Sequence, residues 1–116
     1  MRKTEPISIA SAPHYLWGNG CDGWHLMRTP AVSILEERMP PGTAERRHKH
    51  QESRQFFYVL SGELTIELEG TDVKLGPQTG LEVGPGKAHQ AFNRGSADVR
   101  FLVTSQPPSQ GDRIDA

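Results

Sequence analysis

Hydrophobic positions fall in short runs along this chain, and the clearest run alternates with polar residues. From Glu63 to Glu69, Leu64, Ile66 and Leu68 interleave with Glu63, Thr65, Glu67 and Glu69. That period of two predicts a strand with one buried and one wet face. Gln55 to Leu60 (QFFYVL) is dense in aromatic and β-branched residues, which suit a pleated, half-buried surface. Within it Phe57 and Val59 alternate with Phe56 and Tyr58, so one of these sets faces a core. Val32 to Met39 forms another strand, stopped by Pro40-Pro41-Gly42, which cannot continue a ladder. Trp24–Thr29, Val73–Leu75, Gly80–Val83, Ala88–Phe92 and Val99–Ser105 bring the total to about eight short strands. Ser61-Gly62 reads as a hairpin turn into the alternating strand, Gly70-Thr71-Asp72 as the next turn, and Gly84-Pro85-Gly86 as the turn before Ala88.

The ends of the chain are more polar. Residues 1–22 are expected to form an arm of irregular structure that ends at Gly18-Asn19-Gly20, and residues 23–105 a single barrel. Residues 106–116, with Pro107-Pro108 and Gly111, read as a tail that lacks order unless it docks on a partner.

Composition reinforces the all-β reading. Twelve glycines and nine prolines in 116 residues argue against a helical bundle, because both break helix interiors. A formal net charge of -1 supplies no field to attract nucleic acid or an anionic membrane. The densest basic patch, Arg46 to His50, is short and flanked by Glu45 and Glu52. One cysteine, Cys21, allows no intramolecular disulfide and fits a reducing cytoplasm; in its Gly-rich turn it reads as incidental. Met1 to Ala12 lacks the apolar run of a signal peptide, and no stretch approaches the ~20 apolar residues of a membrane helix. The expectation is a cytoplasmic sandwich, jelly roll or barrel with no nucleic-acid or membrane partner.

Three of the five histidines stand out by position. His48 and His50 are two apart, so on an extended segment both imidazoles project from one face. Gln55 opens the next strand, and His89 follows a Pro-Gly turn further on. Neutral imidazole is the commonest metal ligand. His-x-His alone is equally compatible with surface histidines in a charged loop.

The surroundings are more specific. Gly42-x5-His48-x-His50-x4-Gln55-x6-Gly62 is similar to the first motif of the cupin superfamily, and Gly84-Pro85-Gly86-Lys87-Ala88-His89-x3-Asn93 resembles the end of the second. The resemblance runs from about Pro40 to Asn93. It implies a double-stranded β-helix, a jelly-roll barrel, with one divalent metal (Fe, Mn, Ni or Zn) held in its mouth by His48, His50, His89 and the residue at Gln55. Three positions depart from the pattern. Gln78 and Gly84 stand where a glycine and a proline are usual, and Gln55 replaces the ligand glutamate. A neutral amide binds a cation more weakly than a carboxylate but leaves the ion's charge undiminished. Glu52 is the alternative ligand, at a poorer spacing.

Other residues carry open readings. Arg46 shares the parity of His48 and His50, and either reaches an anionic substrate as a candidate catalytic residue or lies solvated at the rim. Asn93 is expected in a structural turn. Tyr15, Trp17, Trp24 and His25 pack on the barrel or on a partner subunit, or else line its mouth. As to function, the sequence favours a dioxygenase slightly over a metal-dependent sugar isomerase or ring-opening lyase. The ring-opening uronate cupins carry an acid-base aspartate on the last strand, where this chain has Phe101-Leu102-Val103. A non-catalytic module that binds a small molecule is the third possibility. The feature expected to discriminate is whether Glu36, Glu37 or Arg46 reaches the open face of the metal site. A homodimer is expected, because free edge strands and the aromatic arm both need cover.

Overall fold

The structure, a computed structural model, describes residues 4–116. The alternating segment becomes β6 (Leu64–Leu68), and Glu69-Gly70 returns the chain at once into β7 (Thr71–Leu75). Both turn residues have positive φ, 50° and 90°, the twist a two-residue hairpin needs. The remaining strands are β1 (His14–Trp17), β2 (Cys21–Arg28), β3 (Ser33–Met39), β4 (His48–His50), β5 (Arg54–Ser61), β8 (Gly80–Val83), β9 (His89–Phe92), β10 (Val99–Gln106) and β11 (Arg113–Asp115). They form a six-stranded sheet in the order β1-β2-β3-β10-β5-β8 and a five-stranded sheet in the order β11-β4-β9-β6-β7. All pairings are antiparallel, and the core cluster is drawn from both sheets. Met39, Phe57, Val59, Val99 and Phe101 from the first meet Leu64, Ile66 and Ala91 from the second. The set Phe57 and Val59 is the buried one; Phe56 and Tyr58 stack on the outer face with centroids 6.4 Å apart. This is the all-β double-stranded helix expected from sequence.

Three local expectations are corrected. Ser61-Gly62 is no hairpin turn, because β5 and β6 lie in different sheets and the chain crosses between them there. Gly62 has φ +78°, and a Cβ on it would collide with the backbone of Asp98 and Val99 at the start of β10, so the crossing passes through a gap only glycine fits. The arm is not irregular throughout: His14–Trp17 pairs with Trp24–Cys21 as a hairpin. The tail is ordered without a partner subunit. Arg113–Asp115 pairs with the edge of β4, and the Asp112 carboxylate accepts hydrogen bonds from the backbone N–H groups of Gln51, Glu52 and Ser53 at 2.8–3.1 Å. Cys21, for its part, is fully buried in the core. Among the described residues no helix is long and apolar enough to cross a membrane.

Candidate metal centre

The short strand β4 sits against β9 with His48 directly opposite His89. His50 follows two residues later on the same face of β4. The rings therefore cluster, with centroids 4.4 Å apart for His48 and His89, 4.9 Å for His48 and His50, and 5.8 Å for His50 and His89. Each offers one ring nitrogen, and these nitrogens lie within 4.8 Å of one another. All three residues are buried.

Backbone carbonyls set the tautomers of two rings. His48 Nδ1 donates to the Arg46 carbonyl at 2.7 Å, and His89 Nδ1 donates to the Lys87 carbonyl at 2.9 Å. Since a carbonyl only accepts, the proton is on Nδ1 and the Nε2 lone pair is free, the orientation a ligand histidine needs. His89 Nε2 is buried with no hydrogen-bond partner, and so is His50 Nδ1. Burial lowers the pKa of all three, that of His48 to about 4, so the imidazoles are neutral at pH 7 and able to donate electron pairs.

Gln55, the second residue of β5 on the facing sheet, is buried and lines the same cavity as His48 and His50. Its Nε2 donates to Ser105 Oγ on β10 at 3.1 Å, while its Oε1 is buried with no partner. A buried oxygen without a donor is costly in a finished interior. Orphaned electron-pair donors on Gln55 and His89, beside two further neutral imidazoles, are what a cation would satisfy. The residues present therefore fit a metal ion.

His48, His50 and Gln55 open onto a cavity of about 390 Å³, with His89 beside them. Its walls include Leu35, Phe57 and Val103 from the six-stranded sheet, and Tyr15, Trp17 and His25 from the first hairpin. Tyr15 and Trp17 also pack against the barrel core, so for them the two readings of the aromatic arm hold together. Trp24 alone lies on the other face of β2, against His14 and Arg100. Ser109, Gln110, Gly111 and Arg113 close one side, a contribution of the tail that the sequence did not signal.

Two carboxyl groups also face the cavity. Burial pushes Glu37 up to about 7 and Glu45 up to about 8, the latter further raised by the Glu37 charge. Glu45 Oε2 accepts from the Ala91 N–H at 2.9 Å. Other candidates lie elsewhere. Arg46 is exposed and pairs with Asp115 at 3.2 Å, outside this cavity; its parity with His48 fails because the regular strand begins only at His48. Glu36 turns to the outer face and pairs with Arg100. Glu52 is exposed in the β4–β5 loop and is not part of the histidine cluster. Asn93 is structural: its Nδ2 donates to the Met39 and Ala97 carbonyls, and its Oδ1 accepts from the Gly95 N–H.

The profile of the cupin domain family matches residues 35–105. An oxalate-binding protein of Thermotoga maritima is 31% identical over 77 residues, covering 66% of this chain and 64% of that protein. The tetracenomycin polyketide synthase protein TcmJ of Streptomyces glaucescens is 29% identical over 69 residues, 60% of this chain and 46% of the relative. The chain thus spans between about half and two thirds of these curated relatives. Among solved structures, that of KdgF from Halomonas sp. superposes with a TM-score of 0.83 at 19% identity, covering 91% of this chain and 97% of the other. The polyketide cyclase RemF from Streptomyces resistomycificus gives a TM-score of 0.86 at 16% identity, covering 98% and 86%. At these identities the superpositions show the fold alone.

Proposed function

This chain belongs to the cupin domain family, and on that premise we propose that it is a small metalloenzyme. It holds one divalent transition metal through His48, His50, His89 and Gln55 and acts on a small organic molecule that presents oxygen atoms to the ion. One observation carries this reading: three neutral imidazoles and the unpartnered Gln55 Oε1 gather at a cavity large enough for such a molecule. A bound ion there supplies Lewis acidity undiminished by any ligand carboxylate. Four protein ligands on an ion that accepts five or six leave room for substrate.

Sequence ranked dioxygenation first, but the cavity favours proton transfer, of isomerase, lyase or cyclase type. A group that holds and releases protons near neutrality serves such a reaction, and Glu37, pushed up to about 7, is such a group within the cavity. Oxygen chemistry remains the second reading, favoured by the apolar wall of Leu35, Phe57 and Val103. The oxalate-binding name of the Thermotoga relative points to the third, retention of a ligand without turnover.

Elemental mass spectrometry on protein purified without a histidine tag tests the reading. Near one equivalent of zinc, nickel or manganese supports it, whereas stoichiometric iron moves dioxygenation ahead. No metal, with none taken up on reconstitution, overturns it and leaves a binding module. We also propose a homodimer in the cytoplasm. Phe56, Leu60 and Met27 leave apolar surface exposed on the six-stranded sheet, and a monomer mass in sedimentation at micromolar concentration would refute the dimer.

A further inference from the structure

The register of the first three strands places Tyr15 opposite Gly23, and Gly23 opposite Glu37. Three side chains would ordinarily stand abreast there, but the middle one is missing. A Cβ on Gly23 would collide with the phenol carbon and hydroxyl of Tyr15. The tyrosine ring therefore reaches across β2 through the gap that glycine leaves. Its hydroxyl donates to Glu37 Oε2 at 2.6 Å, the short distance of a hydrogen bond to a carboxylate. The His25 ring packs on the Tyr15 ring with centroids 4.7 Å apart. All three residues line the cavity onto which His48, His50 and Gln55 open.

Glu37 is not engaged as its neighbours are. Glu36 and Asp22, on the outer face, are paired with Arg100 and Arg38. Among the described residues Glu37 pairs with no cation, and its Oε1 has no hydrogen-bond partner. A carboxylate held by one oxygen, with the other turned loose in a half-buried cavity, is poorly explained by stability alone.

We propose that Glu37, with Tyr15 as its positioning residue, is the catalytic base of this cavity, acting on an enolisable α-hydroxycarbonyl compound whose oxygens face the histidines. The proposal deepens the metalloenzyme reading and rests on it. Glu37 Oε1 takes the proton from the carbon that carries the hydroxyl. The C–H electron pair becomes a carbon–carbon double bond, and the negative charge passes to the former carbonyl oxygen. The hydroxyl proton then moves to that oxygen, and Glu37 returns its proton to the adjacent carbon. The outcome is an isomerised hydroxycarbonyl, with no oxidant or reductant consumed. Burial holds the Glu37 carboxyl near neutrality, and the Tyr15 hydrogen bond pulls it partly back. The titratable groups that face it are Tyr15 on β1, Cys21 and His25 on β2, and Glu45 across the cavity.

Two measurements test it. The first follows deuterium entering the C–H positions of three- to six-carbon hydroxyaldehydes and hydroxyketones in D2O, by proton NMR of metal-loaded protein. Glu37→Gln is expected to slow exchange at least about 100-fold at unchanged metal content. The second is a carbon-13 NMR titration of the Glu37 carboxyl in metal-free protein, its signal assigned by its absence in Glu37→Gln. A midpoint near 7 is expected, moving upward in Tyr15→Phe and in Gly23→Ala as the donor is lost or displaced. Should Glu37→Gln not fold, Tyr15→Phe carries both measurements, because it retains the carboxyl and is expected to shift the pH profile of exchange with the titration. Metal-loaded wild type that exchanges none of the probes, or a Glu37→Gln variant that exchanges like wild type, overturns the proposal. So does a Glu37 carboxyl that titrates in the ordinary range. A wild type without metal but with Glu37 near 7 overturns the metal reading instead, so the two failures are distinguishable.

Discussion

Gln55 divides one amide between two tasks. Its nitrogen is spent on Ser105 Oγ, which leaves the buried oxygen without a hydrogen-bond partner and free for a cation. Ser105 has no other described duty in the site, so Ser105→Ala asks how far the proposed role of Gln55 depends on this bond. Loss of such an outer partner typically costs about 10–100-fold in metal affinity, and that fall is expected by isothermal titration of zinc into the apo protein. Unchanged affinity would mean that Gln55 does not touch the ion. His50→Ala is expected to abolish binding, Gln55→Ala to weaken it modestly and Gln55→Glu to tighten a divalent ion, since a carboxylate adds charge attraction. The clustering of His48, His50 and His89 was readable because each is tied to a turn or strand of fixed spacing. Of the two readings left open for Arg46 the structure fits the solvated one, because side-chain parity holds only where the backbone is regular. The bond from Tyr15 to Glu37 was unreadable for a different reason: it depends on a register across three strands and on the empty place at Gly23.

Local pairing and distant pairing left different traces among the elements. The β6–β7 hairpin could be read to within two residues, the turn falling at Glu69-Gly70 rather than at Gly70-Thr71-Asp72, because alternation and turn residues are properties of adjacent sequence. Ser61-Gly62 has the same turn chemistry, yet its strands part into different sheets; periodicity says which face is buried but not which sheet receives it. Gly62→Ala tests that crossing. A left-handed φ costs an alanine about 1–3 kcal/mol, and the collision with the Asp98 backbone adds a similar amount. A destabilisation of about 2–5 kcal/mol is expected in urea unfolding, against no loss, or a gain of up to about 1 kcal/mol, for Gly76→Ala, where φ is not left-handed and a Cβ meets open space. The tail hid its role because its partner β4 lies some sixty residues earlier and is itself only three residues long. Asp112 is what ties the two together, so Asp112→Ala should act like loss of a helix cap, about 1–2 kcal/mol. A variant as stable as wild type would show that β11 docks without it.

Across the whole molecule, protonation links the cavity to stability in a way that metal should weaken. In the metal-free protein His48, His50 and His89 have lowered pKa values, so their contribution is present above the ordinary histidine range and lost as the pH falls through the folded values, about 4 for His48. Glu37 and Glu45 are raised, to about 7 and about 8. Their contribution is complete below the unfolded carboxylate pKa, ~4.3, and is lost as the pH rises through the folded values. Between about pH 4.5 and 6.5 the two sets oppose each other, because the unfolded chain holds more protons on histidine and the folded chain more on glutamate. Above pH 6.5 the histidines are neutral in both states and only the carboxyls still titrate. The melting temperature of chelator-treated protein is therefore expected to fall between pH 6.5 and 8, and less steeply in Glu37→Gln. Metal at a hundredfold excess over its dissociation constant adds about 2.7 kcal/mol. Its positive charge beside the carboxyls favours their ionised forms, so the slope above pH 6.5 should shrink when the ion is bound. Calorimetric melts across pH 5–9, with and without zinc, decide the matter. A chelated protein that grows more stable from pH 6.5 to 8 would mean that Glu37 and Glu45 are already ionised in the fold, and with them would go the pH-poised base on which proton transfer in this cavity depends.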